Sequence, residues 1–148
     1  MELKKYCAKC GCNRLIDITK TYCNAHERTK AESDAEYDRK YRDKKAKAFY
    51  NSSEWKTARA AALARDTGID VYLYITEGRI IPATIVHHIV ELREDYTKRS
   101  TLSNLISVSE ETHEGTIKKA YSKVDTKRKM QQDLRRAVEE YQKKVVGG

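Results

Sequence analysis

The sequence predicts an α+β protein: a ββα unit flanked by helices and preceded by a small cysteine knuckle. Three observations predict it. The runs from Thr84 to Val90 (TIVHHIV) and from Leu105 to Val108 (LISV) are short, apolar and β-prone, and Ser109 to Thr112 (SEET) then opens a helical pattern. The stretches 27–47 and 122–146 are highly charged, contain neither Gly nor Pro, and read as helices. All four cysteines lie between Cys7 and Cys23.

Composition narrows the function classes. A chain of 148 residues allows one ordinary domain, or a small domain with an appendage. Charged residues make up 35% and hydrophobic ones 39%, with a mean hydropathy of -0.81, so part of the chain should be solvated helix rather than packed core. The net charge of +8 and a pI near 9.3 point to a polyanionic partner, nucleic acid first. No run approaches the ~18 apolar residues of a membrane span. Met1 to Cys7 lacks an apolar signal region, which gives a cytoplasmic expectation. The absence of a Gly-rich phosphate loop argues against a nucleotide triphosphatase.

The N-terminal segment, 1–27, reads as a zinc knuckle. In a reducing compartment, clustered cysteines mean metal more often than disulfides. Cys23 and His26, at Cys-x2-His spacing, supply two ligands. Cys7 supplies a third, and either Cys10 or Cys12 the fourth, since Gly11 allows a sharp turn between them; the other is surplus. A closed four-ligand site is structural, and its zinc would supply the folding energy that so short a segment lacks.

Segment 28–49 reads as a charged connecting helix, with Tyr37 and Tyr41 one turn apart and Glu36/Lys40 and Asp38/Arg42 as supporting pairs. Segment 50–121 is the central domain. Asn51 or Ser52 caps a helix that anchors Trp55, Ala58, Ala62 and Leu63 on the core and stops at Asp66 to Gly68. Asp70 to Ile75 reads as a strand from its branched and aromatic residues, and Pro82 belongs at an edge. The polar connection from Arg93 to Ser103 is long enough to suspect function. Segment 122–148 reads as a packing helix: Met130, Leu134, Ala137, Val138, Tyr141 and Val145 recur at three and four, and Gly147 and Gly148 end it.

Three of the four histidines fall between His87 and His113. Neighbours on a strand point to opposite faces, so His87 and His88 cannot share one job. One can face a metal while the other faces a substrate water. His113, at a helix start, can return to share the metal. Two histidine ligands leave most coordination positions to water and phosphate oxygens, as an open catalytic site needs. A neutral histidine near pH 7 is a competent general base, and Asn104 can hold that ring or pin the loop behind it.

In this order, Val86 to Val90 (VHHIV), Leu102 to Leu105 (LSNL) and Glu111 to His113 (ETH) resemble the HNH endonuclease family with its ββα-metal finger, and more narrowly its small phage-type members. Those also carry an N-terminal knuckle like Cys7 to His26 and a helix opening like Tyr50 to Trp55. The resemblance implies a metal-dependent endonuclease acting on double-stranded DNA. His87 and His113 would hold one divalent ion (Mg, Mn, Ni or Zn), His88 would be the general base and Asn104 its support. Arg93, Lys98 and Arg99 would steady the phosphate. The resemblance further implies phage terminase or packaging partners and a host-cytoplasmic setting. An alternative keeps the scaffold without cutting: a zinc-containing nucleic-acid-binding protein. A colicin-like toxin module would call for a delivery region, which this short chain does not show. Many relatives have a second zinc held by Cys pairs beside the catalytic unit; here those places read Val71 to Tyr74 and Val108 to Glu111, so packing must hold the unit.

Overall fold

The computed structural model describes residues 3–27 and 29–146. The chain divides into two compact units, Met1–Lys44 and Lys45–Gly148. In the first, β1 (Lys4–Tyr6) and β2 (Leu15–Asp17) form an antiparallel hairpin with Tyr6 opposite Leu15. Ile16 faces inward onto Cys7 and Cys23. A long helix, α1 (Lys30–Tyr50), follows and runs into the second unit. Its residues from Lys30 to Lys45 are exposed except the half-buried Glu36, which pairs with Lys40.

The second unit is built on α2 (Ser53–Arg65), α3 (Val71–Glu77), a hairpin of β3 (Ile85–His88) and β4 (Leu105–Val108), α4, and α5 (Val124–Val146). Helix α4 is π-helical over Glu111–Ile117 and finishes with an α-helical turn, Lys118–Ala120. Ser52 is the cap of α2, its hydroxyl accepting from the Trp55 N–H. β3 and β4 are antiparallel, with His87 opposite Ile106 and His88 opposite Leu105. The connection between them contains two 3-10 turns, Tyr96–Lys98 and Leu102–Asn104.

One element departs from expectation. Asp70 to Ile75 is not a strand; Val71–Glu77 is helical. The Asp70 carboxylate caps it by accepting from the Leu73 N–H, and Gly78 ends it in the left-handed region at φ 69°. Val71, Tyr74 and Ile75 then join the α5 core, and that burial outweighs their β propensity. Pro82 does sit at an edge, in an isolated bridge to Ile69.

The core has two parts. Val71, Ile106, Val108, Ile117 and the α5 residues Met130, Leu134, Ala137, Val138 and Tyr141 form one; Val145 is exposed instead. Phe49, Trp55, Ala58, Ala62, Val86 and Leu105 form the other. Buried carboxylates add to this packing. Asp66 accepts from the Ser107 N–H, and Asp70 accepts from the N–H and hydroxyl of Ser109. The expected helix stop at Gly147 and Gly148 lies outside the described residues. No helix among the described residues is long and apolar enough to cross a membrane.

Candidate functional site

The knuckle gathers Cys7, Cys12, Cys23 and His26, whose ligand atoms all lie within 4.8 Å of one another. Cys23 Sγ is 3.2 Å from His26 Nδ1, Cys7 Sγ 3.7 Å from it, and Cys12 Sγ 4.0 Å from Cys23 Sγ. Ligand atoms on a tetrahedral zinc are about 3.6–3.8 Å apart, so this Cys3His cluster could hold a zinc ion. Cys10 is exposed and outside the cluster, so it is the surplus cysteine. Gly11, at φ 82°, and the Cys12 N–H bond to Lys9 O turn Cys12 inward. Burial raises the Cys7 thiol, but donation from the backbone of Cys23 and Lys9 and contact with His26 outweigh it, bringing Cys7 to about 6. A thiolate ready for metal is then available at neutral pH.

In the second unit, β3 sends its two histidines to different environments. The His87 ring meets His113 of α4, with centroids 5.5 Å apart, and Tyr121, 5.1 Å away. His87 Nε2 is buried and has no hydrogen-bond partner. Burial, then the nearby His113, His88 and Lys127, push His87 down to about 3, so its ring is neutral at pH 7. His113 Nδ1 lies 3.2 Å from Glu114 Oε1. Lys118 and His113 hold the Glu114 carboxyl low, so it is ionised and only accepts. His113 Nδ1 therefore donates to Glu114, the carboxylate–histidine arrangement common behind metal ligands. An orphaned buried ring nitrogen on a histidine whose ring contacts a second histidine fits a divalent ion.

His88 is 5% exposed. Its ring stacks on Trp55 at 4.9 Å and 26°, with Phe49 and Tyr50 edge-on. His88 Nε2 is 2.8 Å from the Arg99 carbonyl oxygen. A carbonyl only accepts, so the neutral ring is protonated at Nε2 and keeps its lone pair on Nδ1, 3.5 Å from the Tyr50 hydroxyl. Burial lowers the pKa of His88, against the Arg99 hydrogen bond.

Asn104 does not touch the imidazole; it pins the connection. Its Oδ1 accepts from the Val90 N–H at 2.8 Å, and its Nδ2 donates to the carbonyls of Val90 at 3.0 Å and Lys98 at 3.3 Å. Arg93 pairs with Glu91. Arg99 lies over the Tyr96 ring and pairs with Glu54 at 3.2 Å. Lys98 ends the first 3-10 turn, and its side chain is exposed. The structure thus brings His87 and His113 together and sets His88 against α2.

Sequence spacing missed several contributors. Trp55 is the core anchor expected of it, and also the platform for His88. Tyr121 donates to the Ile89 carbonyl at 2.6 Å, and Gln131 of α5 donates to the same oxygen at 3.0 Å. Lys127 pairs with Glu91 and Glu94 beside them. Tyr121 and the α5 residues come from far along the chain, and the Arg99 contact is made by backbone; neither leaves a local motif.

Residues 1–57 match a family model described as a domain of unknown function (DUF8602). No curated protein matches the sequence. The crystal structure of an HNH endonuclease from the deep-sea thermophilic bacteriophage GVE2, with manganese ion, is similar at a TM-score of 0.55 and 36% identity. The likeness covers 59% of this chain and 94% of that one. By that identity over nearly the whole of the phage enzyme, this chain belongs to the HNH endonuclease family.

Proposed function

We propose that the chain is a metal-dependent endonuclease that hydrolyses DNA phosphodiester bonds at the ββα unit. Two observations carry this reading together: His87 Nε2 is buried without a hydrogen-bond partner, and the His87 and His113 rings are in contact. His87 and His113 would hold one divalent ion. The ion, Mg, Mn, Ni or Zn, would supply charge stabilisation to the phosphate and the leaving 3′ oxygen; manganese accompanies the similar phage enzyme.

His88 is the general base. The Arg99 carbonyl fixes its tautomer, and burial keeps the ring neutral at pH 7, so Nδ1 can take the proton of an attacking water. The Tyr50 hydroxyl beside Nδ1 marks where that water would sit. Asn104 keeps the connection closed and so keeps the Arg99 carbonyl on the imidazole. Arg93, Lys98 and Arg99 supply cations along the same connection, Arg99 with part of its charge already met by Glu54. The basic balance of +8 favours a polyanionic substrate. The bacteriophage source of the similar enzyme favours DNA in a host cytoplasm as substrate; double-stranded phage DNA and terminase or packaging partners extend the proposal. Co-purification with a terminase subunit tests the last point.

Plasmid cleavage tests the activity. Purified protein should nick or linearise supercoiled plasmid with Mg, Mn, Ni or Zn, and His88→Ala should not. A second reading draws on the packing of His88, whose ring is buried and has both nitrogens partnered. It makes the chain a zinc-containing nucleic-acid-binding protein on a non-cutting HNH scaffold. DNA binding without cleavage under every metal would establish it.

A further inference from the structure

The Met1–Lys44 unit carries a groove that the nuclease reading does not use. It encloses about 410 Å³, within the range of small-molecule sites, between β2 and the Tyr22–Cys23 turn. Arg14, Leu15, Asp17, Lys20, Tyr22 and Asn24 line it. Residues 4–20 carry Lys4, Lys5, Lys9, Arg14 and Lys20 against the single acid Asp17. That carboxylate is engaged in its own turn: it accepts from the N–H and hydroxyl of Thr19, which hold it low, with Lys20 and Lys4 nearby. Arg14 and Lys20 outnumber this one ionised carboxylate on the groove, so the net charge facing a ligand is positive.

The same hairpin exposes more apolar surface than its own folding explains. Ile16 turns inward, and Cys7, Cys23 and Ile16 form the small core. Tyr6 and Leu15, opposite each other on the hairpin, remain 65% and 59% exposed. Tyr22 lies partly buried against the core while lining the groove. An aromatic ring, an exposed leucine, an amide and two cations suit a ligand with a flat apolar face, polar edges and phosphates. A duplex hides its base faces; a single strand presents them.

We propose that this groove binds single-stranded nucleic acid, with an unpaired base against Tyr22 and Leu15 and neighbouring phosphates on Arg14 and Lys20. The site belongs to the segment matched by the family of unknown function, and nothing in it depends on the histidines of the second unit.

Fluorescence anisotropy with the zinc-loaded full chain tests it, using labelled dT20, rU20 and a 20-base-pair duplex across a salt series. Arg14→Gln/Lys20→Gln should weaken dT20 or rU20 binding about tenfold or more. Losing two phosphate contacts should also flatten the slope of log K against log salt by about 1.4. Tyr22→Leu keeps an apolar residue and removes the ring; it should weaken the same strands about 5- to 150-fold. Duplex binding should stay within twofold. One zinc per chain in each variant verifies that the knuckle is folded. Better binding of dT20 or of rU20 assigns DNA or RNA. Zinc-retaining variants that bind single strands as the unchanged chain does, or lose duplex binding equally, would overturn the proposal. A chain that never cuts plasmid but shows these single-strand losses would refute only the nuclease reading.

Discussion

Acid sensitivity of the second unit should be carried largely by His87. Its pKa is about 3 in the folded chain against an ordinary 6.5, because burial penalises the imidazolium. A depressed folded value means that the unfolded chain binds the extra proton first. The stability contribution is thus complete above pH ~6.5 and falls by about 1.4 kcal/mol per pH unit as the pH drops toward 3. At pH 5 the loss is about 1.5 × 1.36, or ~2 kcal/mol. For a unit of roughly 100 residues, this lowers Tm by about 8 °C. The assay uses the only tryptophan: Trp55 stacks on His88, so its fluorescence reports the second unit alone. Melts of the unchanged chain and of His87→Leu, at pH 7 and pH 5 in buffer without added divalent ions, give the comparison. The Tm drop between the two pH values should be about 8 °C smaller in His87→Leu. His88 contributes in the same direction but is present in both proteins and cancels. If His87→Leu keeps the whole acid sensitivity, His87 is not the buried neutral imidazole described above.

Three further outcomes are expected. Cys12→Ser should abolish zinc retention, measured as metal per chain after desalting, whereas Cys10→Ser should retain one zinc. Asp70→Ala strands the Leu73 N–H and both donors of Ser109 in a fully buried place, and should cost about 3–5 kcal/mol in a denaturant titration. Asn104→Ala should cost about 2–3 kcal/mol and, by loosening the connection that carries the Arg99 carbonyl, reduce plasmid cleavage; unchanged cleavage would detach Asn104 from the base.

What was legible in the sequence was what local chemistry decides. Ser52 as a cap, the apolar stripe of α5 and the β3–β4 runs are each set by neighbouring residues. The α3 helix was not, because Val71, Tyr72 and Ile75 favour a strand locally while the Asp70 cap and contact with α5 favour a helix. The cysteine cluster was legible as a candidate metal site, but that Cys12 rather than Cys10 joins it depends on the turn at Gly11. The separation of His87 from His88 followed from strand alternation. Their surroundings did not, since Trp55, Tyr121 and the Arg99 carbonyl reach them through tertiary contacts.

The buried carboxylates connect stability to the site. Asp66, at the end of α2, takes the Ser107 N–H, and Asp70, at the start of α3, takes the Ser109 N–H. Arg65 adds bonds from its guanidinium to Asp66 and to the carbonyls of Leu102 and Leu105. Both ends of β4 are thereby tied to helices rather than to a metal. Ser109 also accepts from the Thr112 N–H, so the start of α4 is set by the same group that Asp70 holds. His113 follows one residue later and faces His87. A change at Asp70 should therefore cost stability and also loosen the two-histidine pair. Carboxylate–amide bonds, which no chelator can remove, hold this orientation. In buffer without added divalent ions, chelation should strip any zinc from the knuckle and leave the Trp55 melt of the second unit unchanged.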